Sequence, residues 1–364
     1  MLGEVKQITS NLWMIEGGFV AEHMALPEAE NAFLYQGADS LYLLGSGMGE
    51  EMRRAIENQL MALGAPGSFM LLNPGRGIGG NGNNDIIHNV LADEKSHLAL
   101  MTPADEAQAF AERLYALSRY VDPFRALDGN GLRQFALRAV REVLAVFFGQ
   151  RTALRWMTAL VVRRRPPVKV SADTMNILPP EDMETVEIGA VSWQGWRLGD
   201  VWALQAGRGL WCYLPAEKTL FAPGWRDAFS PVWPEEGEGH AALLEKLMAM
   251  TRAGAVSILV DGGHAEVLRE REVILQTLEQ LLSRRTGLQQ ALEAVLHREP
   301  GMTVRALSRR LRKLRHRPAV AWYLDTALSG GMICFEQFLV SLLLEMGCTT
   351  KGIWRHKKFN LPEM

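Results

Sequence analysis

The stretch that decides the fold of this chain is Phe69-Met70-Leu71-Leu72-Asn73-Pro74-Gly75-Arg76-Gly77-Ile78-Gly79-Gly80-Asn81. It opens with a short apolar run, and turn-forming residues follow directly, which is typical of a buried strand. The glycines after it predict an open loop at the carboxyl end of this strand. Because folds that combine strands with helices often bind their ligands at strand ends, we expect the functional site here.

The residues before this stretch predict two β-hairpins and one helix. Apolar and polar residues alternate over 5–16 and again over 31–44, as in paired strands. Apolar residues then recur at helical spacing from Met52 to Leu63, and Gly64 is a helix-ending signal. Two hairpins therefore precede the first helix, and the strand at Phe69 follows it.

The residues after the loop predict a helical insertion, a second group of strands and a helical end. Helical spacing over about 103–165 interrupts the strand pattern, and a basic, proline-rich run at 163–167 ends it. The strand candidates before and after the insertion are 97–101, 185–188, 191–196, 201–204, 210–214, 219–221 and 256–260. The helix candidates in the second half are 239–253, 270–283, 288–296, 304–315, 319–328 and 335–346.

Three phrases of the chain resemble those of the metallo-β-lactamase superfamily. The loop after Leu72 stands where that family has Thr-His-x-His-x-Asp-His-x-Gly-Gly, and residues 41–49 stand where it has a strand ending in Ile-Asp-Thr-Gly. Residues 213–221, Tyr-Leu-Pro-Ala-Glu-Lys-Thr-Leu-Phe, are similar to its Tyr-Leu-Pro-x-x-Lys-x-Leu-Phe hairpin. The resemblance covers roughly residues 5–268.

This resemblance implies the fold and its division. The expected class is mixed α/β (α+β), an αββα sandwich of the metallo-β-lactamase type with an inserted helical lid and a helical C-terminal extension. The sandwich is expected over 1–267, with the lid at about 103–165. Residues 268–364 are expected to form a helical, winged-helix-like region.

The metal-binding residues of the family are missing from the aligned positions. In the central loop Pro74, Arg76 and Gly77 stand where the family has histidines, and Arg208 aligns with a further one. His264, in a Gly-Gly-His phrase after the last strand, is the one residue that matches a family ligand. Hydrolysis in this superfamily needs one or two metal ions held by imidazoles and carboxylates. We therefore expect no metal and no other cofactor.

Two acidic positions of the family have changed as well. Gly45 replaces the aspartate of Ile-Asp-Thr-Gly, and Pro223-Gly224 replaces a Gly-Asp pair after the Leu-Phe hairpin. The alternative to a chain without metal is a mononuclear metal site built from His264, His88 and Asp85.

The same substitutions indicate an anion-binding pocket. If the fold is as expected, two guanidinium groups converge where the family holds metal, and nearby glycines offer backbone N–H groups to a carboxylate or phosphate. The alternative is that each arginine pairs with a carboxylate such as Asp85 or Asp261 and fills the space. The residues assigned to this pocket are Arg76, Arg208, His264, Gly77 and Asp85.

Composition restricts the function classes. A chain of 364 residues with 48% hydrophobic residues can bury a large core, and its formal net charge of −2 gives no global attraction to nucleic acid. Three scattered cysteines fit reduced thiols in the cytoplasm, and we expect neither a membrane span nor a signal peptide. The chain has no Walker phosphate loop and no G-x-S-x-G elbow, and residues 75–80, G-x-G-x-G-G, fit the Rossmann fingerprint poorly.

A basic helix near the end supports one further class. Thr303 is a good N-cap for it, and no acidic residue occurs between Glu299 and Asp325. Contacts to the phosphates of a nucleic acid are one interpretation, and a solvated face or one docked on an acidic partner is the other. The residues assigned to a nucleic-acid contact are Arg309, Arg310, Arg312 and Lys313.

These observations lead to three hypotheses. The first is a non-hydrolytic binding or partner protein of the superfamily, for a small anionic ligand or another protein. The second is a hydrolase or biosynthetic enzyme with an unconventional or metal-free active site. The third is a nucleic-acid-associated protein that uses the basic C-terminal helix.

Overall fold

The structure is a computed structural model. It describes residues 3–19, 28–47, 50–64, 68–72, 86, 96–100, 175–178, 180–206, 209–225, 239–262, 267–330, 332–351 and 358–361, with some described by their backbone alone. The predicted lid at about 103–165 lies outside these residues, so it stays a prediction.

The described elements are nineteen strands and six helices. The strands are β1 (Val5–Gln7), β2 (Leu12–Ile15), β3 (Gly18–Phe19), β4 (Glu28–Ala29), β5 (Ala32–Gln36), β6 (Ser40–Leu44), β7 (Ser68–Leu72), β8 (Ser96–Leu100), β9 (Met175–Ile177), β10 (Glu184–Ile188), β11 (Val191–Leu198), β12 (Val201–Ala206), β13 (Gly209–Leu214), β14 (Thr219–Phe221), β15 (Ile258–Val260), β16 (Leu268–Arg269), β17 (Met302–Thr303), β18 (Thr349–Lys351) and β19 (Lys358–Asn360). The helices are α1 (Glu50–Leu63), α2 (His240–Arg252), α3 (Arg271–Arg298), α4 (Val304–Lys313), α5 (Pro318–Gly330) and α6 (Met332–Glu345).

The first large sheet has seven strands in the order β1-β2-β5-β6-β7-β8-β9. Its first four strands pair antiparallel, as the two predicted hairpins require. From β6 to β9 the pairing is parallel, and α1 forms the connection between β6 and β7. β6 and β7 are buried along almost their whole length, which explains their continuous apolar sequences.

The second large sheet also has seven strands, in the simple order β10 to β16. Its pairs are antiparallel except β14 with β15, which run parallel because α2 connects them. Each sheet thus contains a parallel pair with a helical crossover, and the two crossovers stand at corresponding places in the two sheets.

The inner faces of the two sheets pack against each other. Phe33 of the first sheet and Phe221 of the second have ring centroids 4.8 Å apart, and both are fully buried. Tyr42, Leu44 and Leu72 join the same core from the first sheet, and residues of β11 to β15 join it from the second. The sandwich of two sheets that the resemblance implied is therefore present.

Helices cover the outer face of the second sheet. A second core cluster contains residues from α2, from the first half of α3 and from the outer faces of β10 to β15. The tryptophan-rich zone of the sequence contributes to this core, because Trp193, Trp211 and Trp225 are buried in it. Packing in the sheet, and not an aromatic ligand box, accounts for these rings.

The C-terminal residues form a third cluster around four helices and a small sheet. The second half of α3 packs with α4, α5, α6 and strands ordered β17-β19-β18. The sequence predicted the helices but left the wing strands undefined. Arg285 of α3 is buried and pairs with Glu345 of α6, while its guanidinium lies 5.7 Å from the Phe338 ring.

One predicted helix break is wrong. The helices expected over 270–283 and 288–296 are the single helix α3, which contributes to both the second and the third cluster. Gly287, read as part of the break, stays helical, and a Cβ there would lie 2.7 Å from the Cβ of Ala319. The glycine permits the close approach of α5. The predicted division between 267 and 268 stays a prediction.

Among the described helices, none is both long enough and apolar enough to cross a bilayer.

Tyr42 joins the two sheets by hydrogen bonds, which generates a test of their packing. Its hydroxyl donates to the Leu198 carbonyl oxygen at 2.9 Å and accepts from the Asp200 N–H at 3.1 Å. We expect Tyr42→Phe to lower the free energy of unfolding by about 1–3 kcal/mol, because two backbone groups lose their partner. Chemical denaturation of the full chain measures this loss.

Tyr35→Phe is the matched control for this test. Tyr35 stacks on Tyr42 at 5.8 Å and is also buried, but its hydroxyl makes no hydrogen bond among the described residues. Its loss should be clearly smaller than that of Tyr42→Phe. Equal losses in the two variants would contradict the role given to the Tyr42 hydroxyl.

Candidate functional site

The candidate site lies at one edge of the sandwich, where the parallel strands end. β6 pairs with β7 up to Leu44 and Leu72, and β14 pairs with β15 up to Phe221 and Val260. Loops that follow these four strands therefore start at carboxyl ends. In open α/β sheets ligands bind outside such ends, and the central Gly-rich loop follows one of them.

Close contacts bring the two sheets together at this edge. The Asn31 N–H donates to the Gly262 carbonyl oxygen at 2.6 Å, which ties the start of β5 to the end of β15. A Cβ on Gly262 would lie 3.0 Å from Glu30 Oε2, and one on Gly47 would lie 3.2 Å from the Glu30 carbonyl oxygen. Glu30 thus sits between the segment after β6 and the segment after β15.

Asn31 connects three segments with its side chain. It is buried, its Nδ2 donates to the Asp261 carbonyl oxygen at 3.1 Å, and its Oδ1 accepts from the Gly17 N–H at 2.7 Å. A buried amide that satisfies backbone groups on both sides is a strong positional constraint. Asn31 therefore holds the edge of the first sheet against the end of β15.

Asp261 follows β15 directly and is only 2% exposed. Its Oδ1 accepts from the Gly224 N–H at 2.9 Å, so the carboxylate holds the turn after β14. Gly224 has φ +75°, a left-handed conformation that glycine adopts without strain. By the resemblance, Gly224 stands at a position where the family carries an acidic residue. Here that position offers a backbone N–H to a neighbouring carboxylate.

Gly45 stands at the second lost acidic position. Its N–H donates to the Leu72 carbonyl oxygen at 2.8 Å and its φ is +69°, so it continues the β6–β7 ladder by one bond and then turns the chain. The next residue, Ser46, is fully buried. Neither Gly45 nor Gly224 has a side chain that could bind a metal.

His240 is a buried histidine near the same turn. Its Nε2 lies 3.0 Å from the Trp225 carbonyl oxygen, at the N-terminus of α2. This contact fixes α2 to the turn that contains Gly224. No sequence pattern singles out His240. Glu30 and Asn31 are polar residues before an apolar strand, and that position by itself does not predict a functional role.

The five residues assigned to the pocket from sequence lie outside the described residues, so their convergence stays a prediction. Their described neighbours are compatible with it, since Ala206 and Gly209 pair at the end of the second sheet where β14 also ends. Within the described part of the chain, no group of three or more His, Cys, Asp or Glu side chains could hold a metal ion. The pocket residues concerned are Arg76, Gly77, Asp85, Arg208 and His264.

The described thiols are unsuited to nucleophilic chemistry. Cys212 is buried between the sheets, and its desolvation raises the pKa of the thiol to about 12. Burial also raises the pKa of Cys348 in the C-terminal cluster. Because the thiolate is the reactive form, both cysteines stay neutral and inert at neutral pH.

The residues assigned to nucleic acid lie on α4, in the C-terminal cluster and not at the sheet edge. Arg309, Arg312 and Lys313 are exposed. Arg310 is half-buried and forms an ion pair with Glu299, so it is less available to a ligand than the sequence suggested.

Comparison with known proteins adds structural likeness only. No protein-family model and no curated protein matches the sequence. A beta-lactamase domain protein from Burkholderia ambifaria has 12% sequence identity and a TM-score of 0.50, over 99% of this chain and 94% of that chain. A metallo-beta-lactamase family protein from Thermus thermophilus has 18% identity and a TM-score of 0.48, over 98% of this chain and 100% of that chain.

A stereoselective inverting sec-alkylsulfatase from Pseudomonas sp. is also similar, with 10% identity and a TM-score of 0.46, over 84% of this chain but 45% of its own. Identities this low bear on the fold and not on the activity. The chain has two packed mixed sheets, each with a parallel crossover. Its likeness to the protein from Burkholderia ambifaria spans nearly the whole chain. The chain has a mixed α/β fold of the metallo-β-lactamase type.

Proposed function

We propose that this chain is a non-hydrolytic binding protein that takes a small anionic ligand at the strand-end edge of the sandwich. The observation that carries the proposal is the hydrogen bond between Asp261 Oδ1 and the Gly224 N–H. A carboxylate at this edge stabilises a turn at a position where the resemblance would place a metal-binding acid. The carboxylate acts here as a structural acceptor.

The side chains that replace the family's ligands change the charge of the edge. Gly45 and Gly224 remove two acidic groups, and Arg76 and Arg208 replace two neutral imidazoles by cations. A metal site concentrates negative charge around a cation, whereas these substitutions remove two carboxylates and add two guanidinium groups. An anion is the ligand that such a site would favour.

A carboxylate or a phosphate has the right chemistry for this pocket. Guanidinium groups donate paired N–H groups to the oxygens of both anions, and glycine-rich backbone offers further donors. Arg76 and Arg208 would supply the charge, His264 a further donor, and Gly77 a backbone N–H. Asp85 would orient one of the arginines.

Metal analysis tests the non-hydrolytic part of this proposal. For the full chain purified without chelators, we expect less than about 0.1 equivalent each of zinc, iron and manganese by mass spectrometry, because the site lacks the usual ligand set. His264→Ala should leave this value unchanged. Stoichiometric metal that disappears in His264→Ala would overturn the proposal in favour of an enzyme with a rearranged metal site.

Calorimetric titration tests the anion. We expect inorganic phosphate or succinate to bind the full chain, and Arg76→Gln or Arg208→Gln to weaken the Kd by about tenfold or more, since a hydrogen bond to a charged group contributes about 1.5–3 kcal/mol. Arg197→Gln, at an exposed position of β11, is the matched control and should change nothing. Unchanged binding in both pocket variants would show that the arginines fill the space and bind no ligand.

Substitution of Asp261 tests the role given to its carboxylate. Asp261→Ala leaves the partly buried Gly224 N–H without this acceptor, and we expect a loss of about 1–3 kcal/mol in the free energy of unfolding. Asp261→Asn keeps an oxygen that can accept from Gly224, so its loss in chemical denaturation should be smaller. A loss as large for Asn as for Ala would contradict the structural role.

A further inference from the structure

The α4 helix has two contrasting faces. Val304, Leu307 and Leu311 point into the C-terminal core and are buried. The opposite face is basic and exposed along its whole length. Thr303 caps the helix with a side-chain oxygen that accepts from the Ala306 N–H at 3.3 Å, so the sequence fixes where the helix begins.

The acidic residues on either side of this surface in the sequence already form ion pairs. Glu299 pairs with Arg310 and Asp325 pairs with Arg315, and no acidic residue lies between them in the sequence. The side chains of five cations on this surface make no ion pair or hydrogen bond with the described residues. We call them the α4 basic face: Arg305, Arg309, Arg312, Lys313 and Arg317.

The spacing of these cations forms one row. Arg305, Arg309 and Arg312 follow at i, i+4 and i+7, which places them on one side of the helix over about 10 Å. The small sheet extends the row, because Lys358 of β19 pairs with Thr303 at the start of α4 and is exposed. The major groove of duplex DNA is about 12 Å wide, so such a row can reach phosphates on both sides of a groove.

The structure points to a particular kind of partner. A membrane-surface helix needs an apolar face to insert, and the apolar face of α4 is used in the core. A single-stranded nucleic acid needs exposed aromatic rings for stacking, and the exposed large apolar residues among those described are Val5, Met61 and Val273, none of them part of the C-terminal cluster. Trp322, on α5, lies under the Arg284 guanidinium at 4.6 Å.

We propose that the α4 basic face binds the phosphate backbone of a nucleic-acid duplex. Four of its five cations are arginines, which recognise phosphate through paired donors. The proposed contacts are to phosphates alone, which carry no base information, so we expect binding that is independent of sequence. The proposal goes beyond the anion-binding pocket, because it uses different elements and a different surface.

Fluorescence anisotropy with a labelled duplex of about 20 base pairs tests this proposal in the full chain. About four phosphate contacts predict that the Kd rises about 100-fold between about 50 and 200 mM salt, because the logarithm of the binding constant falls by about 0.9 per contact and per decade of salt. Arg309→Glu/Arg312→Glu should abolish binding at about 100 mM salt, and Arg309→Gln/Arg312→Gln should weaken it by about tenfold or more. Arg54→Glu/Arg197→Glu makes the same change in net charge at exposed positions of the sandwich and should bind within about threefold of the unchanged chain.

Further arms of the experiment distinguish the alternatives. Duplex DNA and duplex RNA should bind more tightly than a single strand of either type. Tighter binding to a single strand, to polyglutamate or to anionic phospholipid vesicles would overturn the proposal, as would unchanged duplex binding in Arg309→Glu/Arg312→Glu. Circular dichroism and a melting curve establish that each variant is folded. Arg208→Gln should bind the duplex normally, so failure of the pocket proposal and failure of this one give different results.

Discussion

Burial of two sheet faces against each other is the interaction on which the rest of this structure depends. Phe33, Tyr42, Phe221 and their neighbours pack between the two large sheets, and this burial favours one register for the strands that contribute to it. A slip by one residue would move the apolar side chains of a strand to its other face. The same burial brings the ends of β6, β7, β14 and β15 to one edge, where no single element could form a site alone.

Polar contacts at this edge then fix the positions of turns and strand ends that apolar packing alone does not determine. Asn31 satisfies backbone groups on both sheets, and Asp261 holds the turn after β14. These groups are buried, so each would be costly without its partner. At this edge the carboxylate of Asp261 and the amide of Asn31 therefore serve as hydrogen-bonding groups for the backbone. The scaffold can therefore keep its shape while the side chains around it change their charge and function.

The C-terminal cluster has its own core and its own charge pattern. The long helix α3 belongs to two clusters, and the buried pair of Arg285 with Glu345 fixes it to α6. A charge pair this deep is a weak source of stability but a strong geometric constraint, because either partner alone would be left buried and unpaired. The helix α3 thus links the sandwich to the C-terminal cluster, and each of the two carries one of the proposed binding surfaces.

Local patterns in the sequence determined most of the elements. The hairpins, the strand at Phe69, the crossover helix, the hairpin at 213–221 and the Thr303 cap are all present, because period, turn residues and caps act over a few residues. The break predicted between 283 and 288 was wrong, because α3 runs through it, and Gly287 is explained only by the close approach of Ala319. The three-stranded sheet was left undefined because its strands are two or three residues long, too short to show a period.

The candidate site, like the fold, could be predicted from the sequence only in part. The sequence by itself determined which of the family's metal-binding residues are missing and which cations stand at their positions. Aligning the neighbouring motifs requires no coordinates. The tertiary structure decided that Asn31 and Asp261, 230 residues apart, lie together with Glu30 at one edge. It also decided that Arg310 is paired while Arg309 and Arg312 are exposed. Contacts between distant segments depend on how the sheets pack, and a local sequence pattern therefore cannot predict them.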